Sequence, residues 1–174
     1  MILKYDPQKW HTCKNFKQKN CPDEINCYSY VLNNPNYYWS VPGLGFAHEQ
    51  FDKYVSVFSE HFNKMSFEDF RNTLINGASK DGLIKTDETT EKEGYYLAAL
   101  FFPREEKDFH WYRKDDNGYW SHKDGQKPAL NQNKKKKLIT DPIEDAKALY
   151  PIFGGYFLVP REGITLEETF MKLE

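Results

Sequence analysis

The stretch Phe109-His110-Trp111-Tyr112-Arg113, followed by Asp115-Asp116-Asn117-Gly118 and then Tyr119-Trp120-Ser121-His122, decides the fold. Two aromatic-rich runs flank a cluster of turn formers. An Asn-Gly pair between strand-like runs predicts a β-hairpin, because both positions tolerate positive φ. Just upstream, Tyr95 to Phe102 is an unbroken apolar run closed by Pro103, the pattern of a buried central strand. Gly155 to Val159 predicts the last strand, so the sheet occupies the second half of the chain.

The first half reads as helix. Phe51, Tyr54, Val55, Phe58 and Phe62 recur at three- and four-residue steps, one face of an amphipathic helix. Ser66 with Asp69 resembles a capping box for a second helix, with Phe67, Phe70 and Leu74 inward and Gly77 just beyond its end. Cys27 to Leu32 predicts a short buried helix with Cys27 in its first turn, stopped by Asn33-Asn34-Pro35. Trp39, Pro42, Gly43 and Gly45 make residues 36–45 a loop, and Asp81-Gly82 a turn. Asp141-Pro142 reads as an N-cap followed by proline at the first helical position. Thr165 with Glu168 suggests a capped terminal helix. The first 25 residues are polar and irregular around Pro7 and Pro22. Without repeat or linker, residues 1–174 are predicted to form one α+β domain, N-terminal helices packed on an antiparallel sheet.

Aromatic residues make up 17% of the chain and charged residues 29%, a composition that supports a folded domain with an aromatic interior or cleft. A net charge of −2 gives no basic field to recommend nucleic acid. No apolar run approaches the roughly 18 residues of a membrane span, and MILKYDPQKW is too polar for a signal peptide. The expectation is a monomer, cytoplasmic or secreted without an N-terminal signal. Lys134 to Lys137 reads as a solvated loop, with an acidic partner as the rival reading. Three cysteines leave at least one thiol unpaired; Cys13 and Cys21 are able to pair in an oxidising compartment. Their spacing, and that of His11, does not suit zinc, and no metal or cofactor is expected.

A thiolate nucleophile is favoured at a helix N-terminus, where unpaired N–H groups attract negative charge and lower the thiol pKa. Cys27 has that placement. It needs an imidazole within reach and a third group to orient the ring. His110 and His122 lie on the two arms of the hairpin, and alternation makes them cross-strand neighbours if the register pairs their faces. Asp115, Asp116 and Asp141 are rivals for the orienting role. His11, His48 and His61 read as surface or structural residues.

The segment from His110 to His122, including the position of its Asn-Gly turn, resembles the His-hairpin-His element of NlpC/P60 cysteine peptidases. Asn26-Cys27-Tyr28-Ser29-Tyr30-Val31 is similar to that family's Cys-bearing helix start, and the chain order Cys, His, polar residue agrees. The resemblance implies a papain-like fold, Cys27 as nucleophile, His110 as general base, His122 as orienting residue, and cleavage of amide bonds in a peptide or protein substrate. Tyr28, Trp111, Tyr112 and Trp120 would line the substrate site. The chain departs from the family in Asn26-Cys27-Tyr28-Ser29 where Asp-Cys-Ser-Gly is usual, in bulky Trp111-Tyr112 after the base histidine, and in a longer interval between Cys27 and His110. Asn26-Cys27-Tyr28-Ser29-Tyr30, Asp81-Gly82-Leu83, Asp108 to Arg113, Trp120-Ser121-His122-Lys123 with Gly125, and Ile139 to Pro142 also resemble a little-characterised group of bacterial proteins. Glu162 to Glu174 resembles the acidic carboxy-terminal signals of type IV secretion effectors.

Two functions of different class follow. One is a cysteine hydrolase or acyltransferase. The other is a non-catalytic domain binding a peptide or protein partner through Trp111, Tyr112, Tyr119 and Trp120, with the thiol incidental.

Overall fold

The computed structural model describes residues 3–7, 10, 25–35, 39–47, 51–125 and 127–167, with the backbone alone at 47, 51–55 and 57. In chain order the elements are α1 (Cys27–Val31), β1 (Trp39–Val41), β2 (Gly45–Ala47), α2 (Phe51–Asn63), α3 (Phe67–Lys80), β3 (Ile84–Thr86), β4 (Tyr95–Phe102), β5 (His110–Lys114), β6 (Trp120–Lys123), β7 (Ala129–Leu130), α4 (Pro142–Ala146) and β8 (Ile152–Pro160). Strands β3-β8-β4-β5-β6-β7 form one antiparallel sheet, and β1-β2 a separate hairpin. The chain is α+β, as its pattern predicts. Cys13, Cys21, His11, His48 and the acidic terminus beyond residue 167 lie outside the described residues, as does any terminal helix.

β4 is the spine, and alternation explains its lack of polar residues. Tyr96, Ala98, Leu100 and Phe102 pack in one apolar cluster with Tyr28, Val31, Phe62, Phe70, Leu74, Trp111 and Phe157. Leu97, Ala99 and Phe101 pack in a second with Tyr112, Trp120, Ile139, Ala146 and Leu158. A strand covered on both faces has no solvent side to reward polarity, and each large side chain contributes about 1.5–3 kcal/mol.

Three local readings are corrected and a fourth is extended. Gly77 does not follow α3 but lies inside it: a Cβ there would stand 2.3 Å from the Pro42 carbonyl oxygen, so glycine serves close packing against the 42–43 backbone. Phe67, placed inward by periodicity, is 41% exposed at the first position of α3, where Arg71 and Lys107 lie over its ring. Residues 36–45 are not wholly loop, since β1 and β2 pair there. Asp81-Gly82 is a turn, with Gly82 at φ 104°, but Asp81 also accepts hydrogen bonds from Tyr28 Oη and Gly43 N at 2.8 Å each, tying α1 to α3.

The β5–β6 hairpin forms through a three-residue loop. Gly118 N donates to Asp115 O at 2.8 Å and Asp115 N to Tyr119 O at 2.9 Å. Only Gly118 has positive φ (83°); Asn117 keeps negative φ and accepts from Tyr119 N through its side chain. A left-handed residue closing a three-residue loop satisfies the strand twist, so the two-position requirement does not apply.

Candidate active site

α1 is held at its start by Asn26. The Asn26 Oδ1 accepts from Ser29 N at 3.1 Å and Ser29 Oγ at 3.0 Å, and its Nδ2 donates to Ser40 O at 2.7 Å. An N-cap of this kind satisfies one of the helix's orphan donors, and here it also fastens α1 to β1. Cys27 therefore occupies the first helical position, as its sequence context predicts.

The thiol lies in the cluster that contains Phe109 and Trp111 and is 5% exposed. It donates to Phe109 O at 3.7 Å and makes no hydrogen bond to either imidazole. Its pKa is raised, the reverse of the expectation. Burial dominates and the Asp108 carboxylate adds to it, outweighing the Trp111 N–H and Lys123. A helix of only five residues offers too small a dipole to offset desolvation.

His110 and His122 are brought together. His110 Nε2 lies 2.8 Å from His122 Nδ1, with the rings edge to face at 5.0 Å. The direct partner of His122 in the ladder is Tyr112, so His110 is its diagonal neighbour. The His110 ring is 5.2 Å from that of Tyr112 and stacks on Tyr150 at 4.8 Å and 16°, while Tyr112 stacks on His122 at 4.5 Å. The thiol meets the backbone of the start of β5, at the Phe109 carbonyl and the Trp111 N–H, next to the point where the β5–β6 ladder ends at Tyr112. The His110 pKa is pushed far down by burial and then by His122. His122 is lowered by burial against the opposing pull of Asp145 and Asp124. Both are neutral at neutral pH, so one nitrogen of the 2.8 Å contact donates and the other accepts. Nδ1 of His110 has no hydrogen-bond partner among the described residues.

Three acidic groups frame the pair. Asp108 accepts from Phe109 N at 2.8 Å and Tyr150 Oη at 3.3 Å, and burial raises its pKa despite both bonds. Asp145 accepts from Tyr112 Oη at 2.9 Å. Asp124 pairs with Lys127; burial would raise its pKa, but that hydrogen bond and the two imidazoles lower it. Sequence reading singled out neither Asp124 nor Tyr150. Their one signal is position, directly after the WSHK strand and directly before the last strand. Among the described residues no group of three His, Cys, Asp or Glu side chains is arranged to hold a metal, and no helix is long and apolar enough to cross a membrane.

The aromatic residues assigned to a substrate cleft are not at a surface. Trp111, Tyr112 and Trp120 are buried because alternation on a two-sided sheet sends successive aromatics into both cores, and Tyr28 of α1 is buried with its ring 5.3 Å from that of Trp111. Asp115, a rival for the orienting role, is committed elsewhere. It takes Arg113 Nε at 3.0 Å and Ser121 Oγ at 2.6 Å at the opposite end of the hairpin. Asp116 accepts from Leu3 N and pairs with Arg161, and Asp141 caps α4 by accepting from Ile143 N at 2.9 Å. His61 sits exposed on α2, edge-on to Phe62.

No protein-family model matches the chain, and no solved structure matches it. Among curated proteins it is similar to "Insoluble matrix shell protein 1" of Ruditapes philippinarum, 28% identical over 153 residues, which cover 88% of this chain and 87% of that protein.

Proposed function

We propose that the chain is a cysteine hydrolase of papain-like fold acting on an amide or ester bond of a peptide or protein. The observation that carries this is the 2.8 Å His110–His122 contact, which orients one imidazole through Nε2 and leaves its Nδ1 unbonded, one residue from the carbonyl that holds the Cys27 thiol. His122 is the orienting group. A lowered pKa keeps His110 in the neutral form that a general base requires. In the reaction the Cys27 proton passes to His110 as sulfur bonds to the substrate carbonyl carbon. The C–N or C–O bond then breaks, and the same proton leaves with the amine or alcohol. Water, deprotonated by His110, cleaves the thioester and restores the thiol. The N–H groups of Cys27 and Tyr28, for which α1 supplies no carbonyl, are the oxyanion donors. The resting thiol is neutral and turned to Phe109 O, so a side-chain rotation toward Nδ1 precedes attack.

The test is alkylation of the native chain by iodoacetamide with the modified cysteines located by peptide mapping. Cys27 should react faster than Cys13 and Cys21, and His110→Ala should slow Cys27 by at least about tenfold. Equal rates for Cys27 with and without the imidazole remove the hydrolase.

The burial of the thiol favours a second reading, a domain that binds a macromolecular partner with Cys27 as a small core residue. The similarity to a protein named for the insoluble shell matrix is consistent with it. In that case Cys27→Ser leaves partner binding intact.

A further inference from the structure

Between the turn after β4 and the segment joining α4 to β8 lies a solvent-open cavity of about 470 Å3, lined by Pro103, Arg104, Glu106, Lys147, Leu149 and Tyr150, among others. Its size is that of a small-ligand site. Tyr150 belongs to two places at once. It lines this cavity, and its ring covers the face of His110 at 4.8 Å with the planes 16° apart. The imidazole pair is therefore one aromatic ring away from solvent on this side.

We propose that Tyr150 is the door of the site: its ring shields His110 from the cavity, and substrate reaches the His110–Cys27 region through that cavity when the ring turns aside. This rests on the hydrolase reading and explains why the thiol is buried at rest.

The geometry defines the motion. The Tyr150 backbone is fixed, N to Ala146 O at 2.8 Å, with Leu149 N to the same oxygen at 3.0 Å. On the other wall Arg71 Nη2 anchors the carbonyls of Pro103 and Arg104 at 3.3 Å each. Both rims are held, so side-chain rotation, not loop movement, opens the way. The rotation gives up one ring stack, a long 3.3 Å hydrogen bond to Asp108 and the packing of a half-buried ring against the second apolar cluster. On opening, Asp108 loses its phenol donor while keeping the Phe109 N–H. The ring is half-buried, and next to it Leu149 is 62% exposed on the cavity wall, an apolar surface for an incoming chain.

The experiment measures chloroacetamide alkylation of Cys27 in the full chain, with global stability of each variant from urea unfolding. Tyr150→Ala should speed Cys27 by at least about tenfold beyond what any loss of global stability accounts for. Tyr150→Phe keeps the shield and drops only the hydroxyl, so it should stay within about threefold of the parent. Adding Leu149→Trp to Tyr150→Ala, which narrows the cavity, should slow alkylation again by about half or more. A Tyr150→Ala rate equal to the parent, or a rise matched by global destabilisation, overturns the door. Failure of the hydrolase reads out separately. If His110→Ala leaves the pH profile of Cys27 alkylation unchanged, the imidazole does not serve the thiol, while the Tyr150 variants still decide whether this ring controls access.

Discussion

The two ends of the β5–β6 hairpin bury ionisable groups in opposite ways. Near the loop, Arg113 and Asp115 are 0% and 1% exposed and form an ion pair at 3.0 Å. The remaining Arg113 donors reach Tyr30 O, Asn33 Oδ1 and Lys4 O at 3.1–3.3 Å, and its guanidinium lies 4.0 Å over the Tyr30 ring. Ser121 Oγ gives its proton to Asp115 Oδ2 and accepts from Tyr30 Oη, both at 2.6 Å. At the far end, His110 and Cys27 are buried, His122 is half-buried and Asp108 lies at the rim, all with fewer partners. Burial pushes the imidazoles down and pushes the Asp108 carboxyl and the thiol up. Charge that is fully paired makes a clasp, which holds β5, β6, α1 and the first residues together. At the other end desolvation favours the neutral imidazoles and the neutral thiol, and these are the groups of the candidate site.

The largest expected effect falls on the clasp. Arg113→Met leaves Asp115 buried without its cation and should cost about 3–5 kcal/mol in urea unfolding. A loss as small as that of an exposed substitution would erase the distinction between the two ends.

His122→Ala strips His110 Nε2 of its partner within the core, for about 1–3 kcal/mol. It should also shift the pH dependence of Cys27 alkylation, which Arg113→Met at equal residual stability should not.

Acid should separate the ends further. The folded pKa of His110 lies below the unfolded value near 6.5, so the unfolded chain binds more protons and stability falls as pH drops below about 6.5, by up to about 1.4 kcal/mol per pH unit for this group. Asp108 and Asp115, with raised folded pKa values, act in the opposite direction, since protonation at low pH favours the folded chain. The melting temperature should therefore be flat from pH 8 to 7 and decline toward pH 5, and His110→Gln should flatten that decline. An unchanged slope in His110→Gln would place the acid sensitivity elsewhere.

The smallest effect is expected at the thiol. Cys27→Ser retains a donor for Phe109 O and should change stability by no more than about 1 kcal/mol while abolishing alkylation at that position. A cost rivalling that of Arg113→Met would mark Cys27 as a packing residue.

Much of the architecture was legible from residue pattern. The double-faced β4, the hairpin, the capped starts at Ser66 and Asp141, and the meeting of His110 with His122 all follow from periodicity and turn chemistry, which are local properties. The site was legible only as candidates. Two imidazoles twelve positions apart on one hairpin are joined by a short loop, so their approach is constrained by local sequence. The burial of Trp111 and Trp120 was not legible, because alternation assigns faces without saying which faces are covered.

Residue pattern alone was enough for an antiparallel sheet with helices before it, a cysteine in the first turn of a short helix, and two histidines on facing arms. It took the packing of distant segments to seal the thiol against Phe109, to bury the Arg113–Asp115 clasp, and to lay Tyr150, forty positions beyond His110, over its ring. The reason is physical. Hydrogen-bonded turns and helices depend on neighbours in the chain, whereas desolvation depends on everything that packs around a group, and that is fixed only when distant segments meet.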